Sequence, residues 1–281
     1  MTVKLLALDL DGTIFGDDLV ISDRTRTAIR EAQAQGVLVT IATGRMFRSA
    51  HQIASDLGIE APLICYQGAL VRHSVTGDTL FHKTIASHFT HVIITETTQR
   101  GLHLNVYVDD KLYVDRITDQ ALFYAKINMD LPINEVGDLH AWLRSRGEPE
   151  PTKLVIVTNA DKTDNVLSLF TGLYGNELQV TKSHARFTEF TSREASKGKA
   201  LAFLASKCGT ARDEVMAIGD GHNDLDMIAW AGYGVAMSTS PEAVLKAARI
   251  VCPPLWEDGA ADTIERFVII DDGRRTIMRD T

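Results

Sequence analysis

The first 66 residues of the chain alternate short apolar runs with single amphipathic segments. Apolar runs at Val3–Leu8, Val37–Ala42 and Pro62–Tyr66 are typical of buried strands. The segments between them, Asp23–Gly36 and Met46–Leu57, have the pattern of helices that end at glycine. Strands joined by single helices form right-handed crossovers, so they lie parallel in one sheet that helices cover on both faces. The alternation therefore predicts an α/β fold built on a doubly wound parallel sheet.

Two aspartates follow the first of these strands. Asp9 and Asp11 are two residues apart, and at strand spacing both carboxylates would face one site. Like charges so close are costly unless one is protonated or a cation lies between them. Such a pair suits Mg²⁺, which prefers carboxylate oxygens and keeps positions open for water and phosphate. The alternative for an isolated pair is an acidic loop after a core strand.

A second polar residue follows a strand in the same way. Thr43 comes directly after Val37–Ala42, and Asp9 after Val3–Leu8. Ligands bind at the carboxyl ends of the strands in open α/β sheets. The sequence therefore predicts one binding site at this edge of the sheet.

The composition excludes several classes of function. A net charge of −8 argues against a general nucleic-acid surface, which needs clustered Lys and Arg, but it does not argue against a small anionic substrate. Apolar runs are too short to span a membrane, and the three cysteines are too few for a disulfide framework and form no zinc pattern. We expect a cytoplasmic protein with no nucleic-acid or membrane partner, and nothing implies an obligate protein partner.

The strand–helix pattern changes near residue 84 and returns at Lys197. We therefore predict a discontinuous core, residues 1–83 and 191–281, with an inserted α/β domain at 84–190. A boundary at the loop Gly147–Pro151 is the local alternative. The charged segment 271–281 is expected to be exposed.

Three hairpins are also expected from turn residues. They are a flap at Thr13–Ser22 with its turn at Gly16-Asp17, a pair Ala69–Arg72 and Thr79–His82, and a pair Leu102–Val108 and Lys111–Asp115 joined at Asp109-Asp110.

Four short motifs occur along the chain in a specific order. They are DLDGT at Asp9–Thr13, ATGR at Ala42–Arg45, SKG at Ser196–Gly198 and GDGHND at Gly219–Asp224. Each is weak alone, but the set at these spacings is specific. Over essentially its whole length the chain resembles the haloacid dehalogenase superfamily of phosphatases, and within it the Cof-type group. The resemblance implies a Rossmann-like core with a type IIB α/β cap inserted between the second and third motifs.

The resemblance also implies roles for the aspartates. Asp9 would be the nucleophile that forms an aspartyl-phosphate, and Asp11 the acid and base that serves the leaving group and then water. Mg²⁺ is the implied cofactor, held by the Asp9 carboxylate, the Asp11 backbone carbonyl and Asp220. Asp224 would be a further ligand or an outer partner.

The phosphate group has its own implied contacts. They are Thr43, Gly44, Lys197 and Asn223, with an oxyanion-type cradle of amides around Leu10. Lys197 lies at a predicted helix N-terminus, where the macrodipole disfavours a cation, so a bound anion would explain it. Helix capping and turn formation are the structural alternatives for Thr43 and for one of the motif's acids.

Four further residues near the motifs are less constrained. Arg45 would reach substrate or pair with a nearby acid. Gln67 replaces the asparagine that is common at this point in Cof-type chains, so its extra methylene would shift any contact with substrate. We expect His222 to face solvent and Asp226 to lie on a helix surface.

We therefore predict a phosphatase that acts on a small phosphorylated metabolite such as a sugar phosphate. A phosphomutase or phosphotransferase of the same fold and a non-catalytic phospho-ligand binding module are the alternatives. Candidates for contact with the non-phosphate half of the substrate are Asn105, Lys153, Lys182, His184 and Arg186.

Overall fold

A computed structural model describes residues 2–269, so the expectation for segment 271–281 lies outside the described residues. The first third of the chain contributes two of the five strands of a parallel sheet. The first two strands pair in parallel from Leu5↔Leu38 to Leu8↔Ile41, and the first strand is fully buried. The elements are β1 (Leu5–Leu8), α1 (Asp23–Ala34), β2 (Leu38–Ile41), α2 (Phe47–Asp56), β3 (Pro62–Cys65), β4 (Leu70–His73) and β5 (Thr79–His82).

The third predicted strand lies beside the parallel sheet but outside its ladder. β3 meets the end of β2 only at the bridge Ala42↔Ile64, and it pairs antiparallel with β4 in the order β3-β4-β5. The antiparallel pairing with β4 results from a sharp reversal of the chain after Cys65, where Tyr66 and Gln67 take positive φ angles of 52° and 58°. The expected parallel orientation of β3 beside β2 is confirmed at this one bridge, the antiparallel pairing with β4 was not predicted, and the hairpin of β4 and β5 is confirmed.

The segment Thr13–Ser22 does not form the predicted hairpin flap. The segment contains turns and no strand, and the Leu10 carbonyl accepts hydrogen bonds from the amides of Thr13, Ile14 and Phe15. Ile14 and Phe15 are 2% and 1% exposed. Their burial holds this part of the chain against the core.

The middle of the chain forms a second sheet, which we call the inserted sheet. Its strand order is β10-β11-β9-β6-β7-β8, antiparallel except between the last two strands. One face packs apolar side chains against helices, whereas the other combines buried polar residues such as Lys153 and Glu189 with apolar ones such as Val155 and Phe187. The elements are α3 (Ser87–Gln99), β6 (His103–Val108), β7 (Lys111–Val114), α4 (Asp119–Ile127), β8 (Ile133–Glu135), α5 (Leu139–Ser145), β9 (Lys153–Val157), α6 (Ala160–Tyr174), β10 (Leu178–His184) and β11 (Phe187–Ser192).

The last third of the chain completes the parallel sheet in the order β14-β13-β12-β1-β2. Alternate residues of β1 enter opposite clusters, with Leu6 packed near Ile29 and Ile264 and with Leu5 near Leu201. Both faces are therefore covered, as a doubly wound sheet requires. The elements are α7 (Lys197–Lys207), β12 (Val215–Gly219), α8 (Leu225–Trp230), β13 (Tyr233–Met237), α9 (Glu242–Ala247), β14 (Ile250–Cys252) and α10 (Gly259–Phe267).

The domain limits at residues 84 and 190 stay predictions. The second limit falls within β11, which continues to Ser192. No helix within residues 2–269 is long and apolar enough to cross a bilayer.

Two glycines allow a matched test of how helices pack on these sheets. A Cβ on Gly234 in β13 would lie 1.9 Å from the carbonyl oxygen of Ile228 in α8, whereas a Cβ on Gly172 in α6 would meet no atom within 4 Å. We expect Gly234→Ala to lower the free energy of unfolding by about 1–3 kcal/mol, because α8 must move away from the sheet. Gly172→Ala should raise it by about 0.5–1 kcal/mol through helix propensity. Urea unfolding curves measure both; equal shifts of the same sign would contradict this packing.

Candidate active site

The carboxyl ends of three neighbouring strands bring the sequence motifs together. Asp9 follows β1, Thr43 follows β2 and Asp220 follows β12, and β1 lies between the other two strands. Lys197 is the first residue of α7 and is 1% exposed, while Asp9 is 4% and Thr43 0% exposed. The four motifs therefore converge on one buried site at the edge where ligands bind in such sheets.

A buried lysine joins two of the aspartates. The Lys197 ammonium lies 2.6 Å from Asp9 Oδ1 and 2.6 Å from Asp224 Oδ1. Burial lowers the pKa of Lys197, but Asp224 and Asp9 raise it by more, so the pKa lies above the usual range of lysine. The ammonium therefore stays charged and fixes the orientation of the Asp9 carboxylate.

The three carboxylates carry more negative charge than one lysine balances. One ligand atom each of Asp9, Asp220 and Asp224 lies within 4.8 Å of the others. Burial and the Asp224 charge raise the pKa of Asp9 well above its ordinary value although Lys197 lowers it, and they raise the pKa of Asp220 to about 6. An all-carboxylate set of this kind fits a hard divalent cation, which would allow all three groups to be charged.

Hydrogen bonds hold the loop after β12 around this cluster. Asp224 Oδ2 accepts from the amides of Asp220 and Gly221 at 3.1 and 2.9 Å. Asp226 Oδ2 accepts from the Gly198 amide at 2.9 Å, which is an amide of the first turn of α7 without an acceptor inside the helix. The expectation that Asp226 lies on a helix surface was therefore wrong, because it ties two motifs together.

Two residues of the first motif lie against the carboxylate cluster. Gly12 has a φ of +87°, and a Cβ there would lie 2.4 Å from Asp220 Oδ2, so only glycine fits. The Thr13 hydroxyl lies 3.3 Å from Asp9 Oδ2 and from Asp220 Oδ1. No role was predicted for Thr13 from the sequence, although its place at the end of the DLDGT motif could have indicated a role in the site.

Asp11 lies at the mouth of the site and pairs with Arg45. Arg45 Nε and Nη2 donate to the Asp11 oxygens at 2.9 and 2.5 Å, in a bidentate pair. The Asp11 side chain is 54% exposed and is not part of the carboxylate cluster. Of the two alternatives for Arg45, the structure favours pairing with an acid. A metal contact through the Asp11 carbonyl stays a prediction.

Two loops form the wall next to Asp9. The Gln67 amide donates to the Thr43 carbonyl at 3.1 Å, and the Tyr66 amide donates to the Arg45 carbonyl at 2.9 Å. Thr43 Oγ1 accepts from the Arg45 amide at 3.1 Å, so Thr43 also has the turn-forming role that was its alternative. The loops at residues 43–45 and 66–68 therefore hold each other in place.

The Gln67 side chain links two residues expected to bind phosphate. Its Oε1 accepts from Asn223 Nδ2 at 3.1 Å, and its Nε2 packs so closely on Gly44 that a Cβ there would lie 2.4 Å away. Gln67 is 5% exposed and has a φ of 58°, a conformation that asparagine tolerates better. A phosphate cradle at the Leu10 amides stays a prediction.

A cavity of about 460 Å³ lies between Gln67 and strand β10 of the inserted sheet. Gln67, Lys197 and Asn223 line its core side, and Gln179 and Thr181 of β10 line the opposite side. His222 lies at its rim and is exposed, as expected.

Of the candidates in the inserted sheet, Lys153 reaches the site. Its ammonium donates to the Gly44 carbonyl and to Glu189 Oε1, each at 3.1 Å. The others make contacts elsewhere: Asn105 with His103, Lys182 with Asp164, His184 with Phe187 and Arg186 with the Thr158 carbonyl.

Comparison with known proteins identifies the family and the fold of the chain. A model of the haloacid dehalogenase-like hydrolase family matches residues 6–264. The 5-amino-6-(5-phospho-D-ribitylamino)uracil phosphatase YcsE of Bacillus subtilis is 30% identical over 267 residues, which cover 95% of this chain and 96% of the relative.

Two solved structures share the fold over their whole length. A haloacid dehalogenase-like hydrolase from Bacteroides thetaiotaomicron has a TM-score of 0.85 at 28% identity, covering 94% of this chain and 99% of its own. A sugar phosphatase of haloacid dehalogenase subclass IIB has a TM-score of 0.78 at 21% identity, covering 95% and 100%.

These findings confirm the α/β fold with an inserted cap, and the protein is a phosphoric monoester hydrolase. The chain therefore belongs to the haloacid dehalogenase-like hydrolase family, in its Cof-type group.

Proposed function

We propose that the protein is a Mg²⁺-dependent phosphatase that hydrolyses a small phosphomonoester through an aspartyl-phosphate at Asp9. The observation that carries this proposal is the buried Asp9 carboxylate, which Lys197 holds at 2.6 Å beside Asp220 and Asp224. A carboxylate attacks a phosphate only where the negative charge is neutralised and the groups are aligned. Lys197 aligns Asp9 and neutralises part of this charge, and a bound divalent cation would neutralise the rest.

In the first step, an oxygen of Asp9 bonds to phosphorus as the bond from phosphorus to the ester oxygen breaks. Lys197, Thr43, the Gly44 amide and Asn223 bind the phosphoryl oxygens and keep them in line with Asp9. Mg²⁺ would be held by Asp9, Asp220 and Asp224, together with the Asp11 carbonyl, and would supply positive charge that offsets the repulsion between carboxylate and phosphate.

Asp11 moves the protons of both steps. As an acid it gives its proton to the departing alkoxide, and as a base it then takes a proton from the water that attacks the aspartyl-phosphate. Free phosphate leaves and Asp9 is regenerated. The bidentate contact with Arg45 orients the Asp11 carboxyl group at the mouth of the site.

The cavity supports a small, polar leaving group. Its volume of about 460 Å³ suits a metabolite, and the amides and hydroxyls of Gln67, Asn223, Gln179 and Thr181 suit a hydroxylated one. Two similar proteins are named for phosphorylated ribitylaminouracil and for sugar phosphates. We propose a sugar phosphate or a similar phosphomonoester as the substrate class, and the cytoplasm as the place of action.

Replacing the nucleophile tests the reaction. We expect Asp9→Asn to lower kcat for phosphate release from a panel of sugar phosphates by about a thousandfold or more, because an amide cannot form the acyl phosphate. Asp56→Asn, the same exchange at an exposed position of α2, is the matched control and should retain full activity. Wild-type turnover of a sugar bisphosphate without free phosphate would indicate a phosphomutase instead.

Replacing Asp11 tests its two proton transfers separately. With p-nitrophenyl phosphate, Asp11→Asn should give a burst of nitrophenolate and then slow turnover, because this leaving group needs no acid but the second step needs a base. With an alkyl phosphate the first step itself should slow by about 10²–10⁴-fold, without a burst. Rapid-mixing kinetics measure both. Equal losses without a burst on either substrate would argue against both roles of Asp11.

Metal binding is tested by stability as well as activity. EDTA should abolish turnover and Mg²⁺ should restore it, and Mg²⁺ at about a hundredfold excess over Kd should stabilise the protein by about 2.7 kcal/mol. The raised pKa of Asp220 means that its charge destabilises the metal-free fold near neutral pH. Asp220→Asn should therefore melt at a higher temperature without metal and lose the shift caused by Mg²⁺. Turnover that survives EDTA, or an unchanged Mg²⁺ shift in this variant, would contradict the metal site.

A further inference from the structure

An aspartate of the inserted sheet caps a helix of the core. Asp110 lies in the turn between β6 and β7, and its carboxylate accepts from the amides of Phe47 and Arg48 at 2.9 and 2.8 Å. These are the first two residues of α2, whose amides have no acceptor inside the helix. Met46, the residue at the N-cap position, offers no side-chain hydrogen bond. The N-terminus of α2 therefore depends on a residue about 60 positions away in the chain.

A third hydrogen bond ties the same carboxylate to the second wall of the site. The Tyr66 hydroxyl donates to Asp110 Oδ1 at 2.7 Å. Tyr66 in turn donates its amide to the Arg45 carbonyl, and α2 begins two residues after Arg45. Asp110 therefore holds both loops next to Asp9, the one at residues 43–45 and the one at 66–68.

Lys153 makes a second contact between the inserted sheet and the same loop. Its ammonium donates to the Gly44 carbonyl at 3.1 Å, and Glu189 of the adjacent strand β11 keeps it in place. Lys153 and Glu189 are 3% and 4% exposed, so the contact is closed to water. The Lys153 bridge thus ends on the segment 43–45, and the Asp110 bridge ends on the residues that directly follow this segment and on Tyr66.

The turn itself does not require a carboxylate at position 110. Asp109 and Asp110 have φ angles of 50° and 57° in a two-residue hairpin closed by Val108↔Lys111. Asparagine suits both positions of such a turn. Enclosing Asp110 is also costly, because burial raises its pKa above the ordinary value despite the bonds from Tyr66, Arg48 and Phe47. The requirement for a charged acceptor therefore comes from the core and not from the turn.

We propose that Asp110 is a positioning residue that sets the phosphate-binding geometry of Thr43, Gly44 and Arg45 when the inserted sheet docks on the core. Docking of the inserted sheet then encloses the substrate and assembles its phosphate-binding site in the same step. The inference rests on the proposed phosphatase function, and it adds a residue outside the motifs to that function.

Asp110→Asn and Asp109→Asn form a matched pair for the test. Both keep a side chain that tolerates the turn, and Asp109 is exposed. In Asp110→Asn, an amide NH₂ must face at least one of the three donors, so one hydrogen bond is replaced by repulsion between donors. Tyr66→Phe is a milder variant that deletes only the hydroxyl.

Three measurements are made on the full-length chain: kcat and KM with a sugar phosphate, inhibition by inorganic phosphate, and NMR hydrogen exchange. We expect Asp110→Asn to lower kcat/KM by about tenfold to a hundredfold and to raise the inhibition constant of phosphate, because the phosphate loop is misplaced. The amides of Phe47 and Arg48 should exchange faster, while those later in α2 are unchanged. Tyr66→Phe should give a smaller effect of the same kind, and Asp109→Asn none.

Two results would overturn the inference. One is faster exchange at Phe47 and Arg48 with unchanged kcat/KM and phosphate inhibition, which would make Asp110 a structural cap only. The other is an Asp110→Asn variant that behaves like Asp109→Asn in every measurement. A wild-type protein that releases no phosphate from any substrate would instead contradict the proposed function, and phosphate binding and exchange would still decide the role of Asp110.

Discussion

The ion pairs of Lys197 with Asp9 and Asp224 are the interaction on which the rest of the site depends. An ammonium and two carboxylates are buried together, and each would be costly to enclose alone. The arrangement exists because β1 and β12 are neighbours in the sheet and because α7 begins at their carboxyl ends. Asp226 holds the first turn of α7, so the position of the ammonium is set from both sides.

The excess of negative charge around that ammonium gives the site its chemistry. Burial raises the pKa values of Asp9 and Asp220, and the Asp224 carboxylate raises them further, because Lys197 balances only part of the negative charge. A bound divalent cation would keep the carboxylates charged. A phosphate group would then contact two positive groups, the cation and the Lys197 ammonium. In the proposed reaction, the repulsion among these carboxylates would favour binding of the cation, which the nucleophilic role of Asp9 requires.

Sequence alone predicted the parts of the fold and site that follow from periodicity and from strand ends. The alternation of the first 66 residues gave the parallel sheet, and the carboxyl-end rule placed Asp9 and Thr43 together before any relative was considered. The antiparallel pairing of β3 with β4 was not predicted, because the reversal between them needs positive φ angles at Tyr66 and Gln67 as well as at Gly68, and only the last is a glycine. The capping role of Asp226 was missed because it depends on the packing of α8 against α7. No local sequence pattern indicates which groups the side chains of Asp110 and Lys153 contact, because their partners are distant in the sequence.

The central claim is that Asp9 carries the phosphoryl group between the two steps. Wild-type enzyme and Asp11→Asn are mixed with p-nitrophenyl phosphate and Mg²⁺, quenched in acid within the burst phase, digested and analysed by peptide mass spectrometry. The account predicts the added mass of one phosphoryl group on the peptide that contains Asp9, with more of it in Asp11→Asn, where the second step is slow. A burst without a labelled peptide, or a label on a peptide that lacks Asp9, would contradict it.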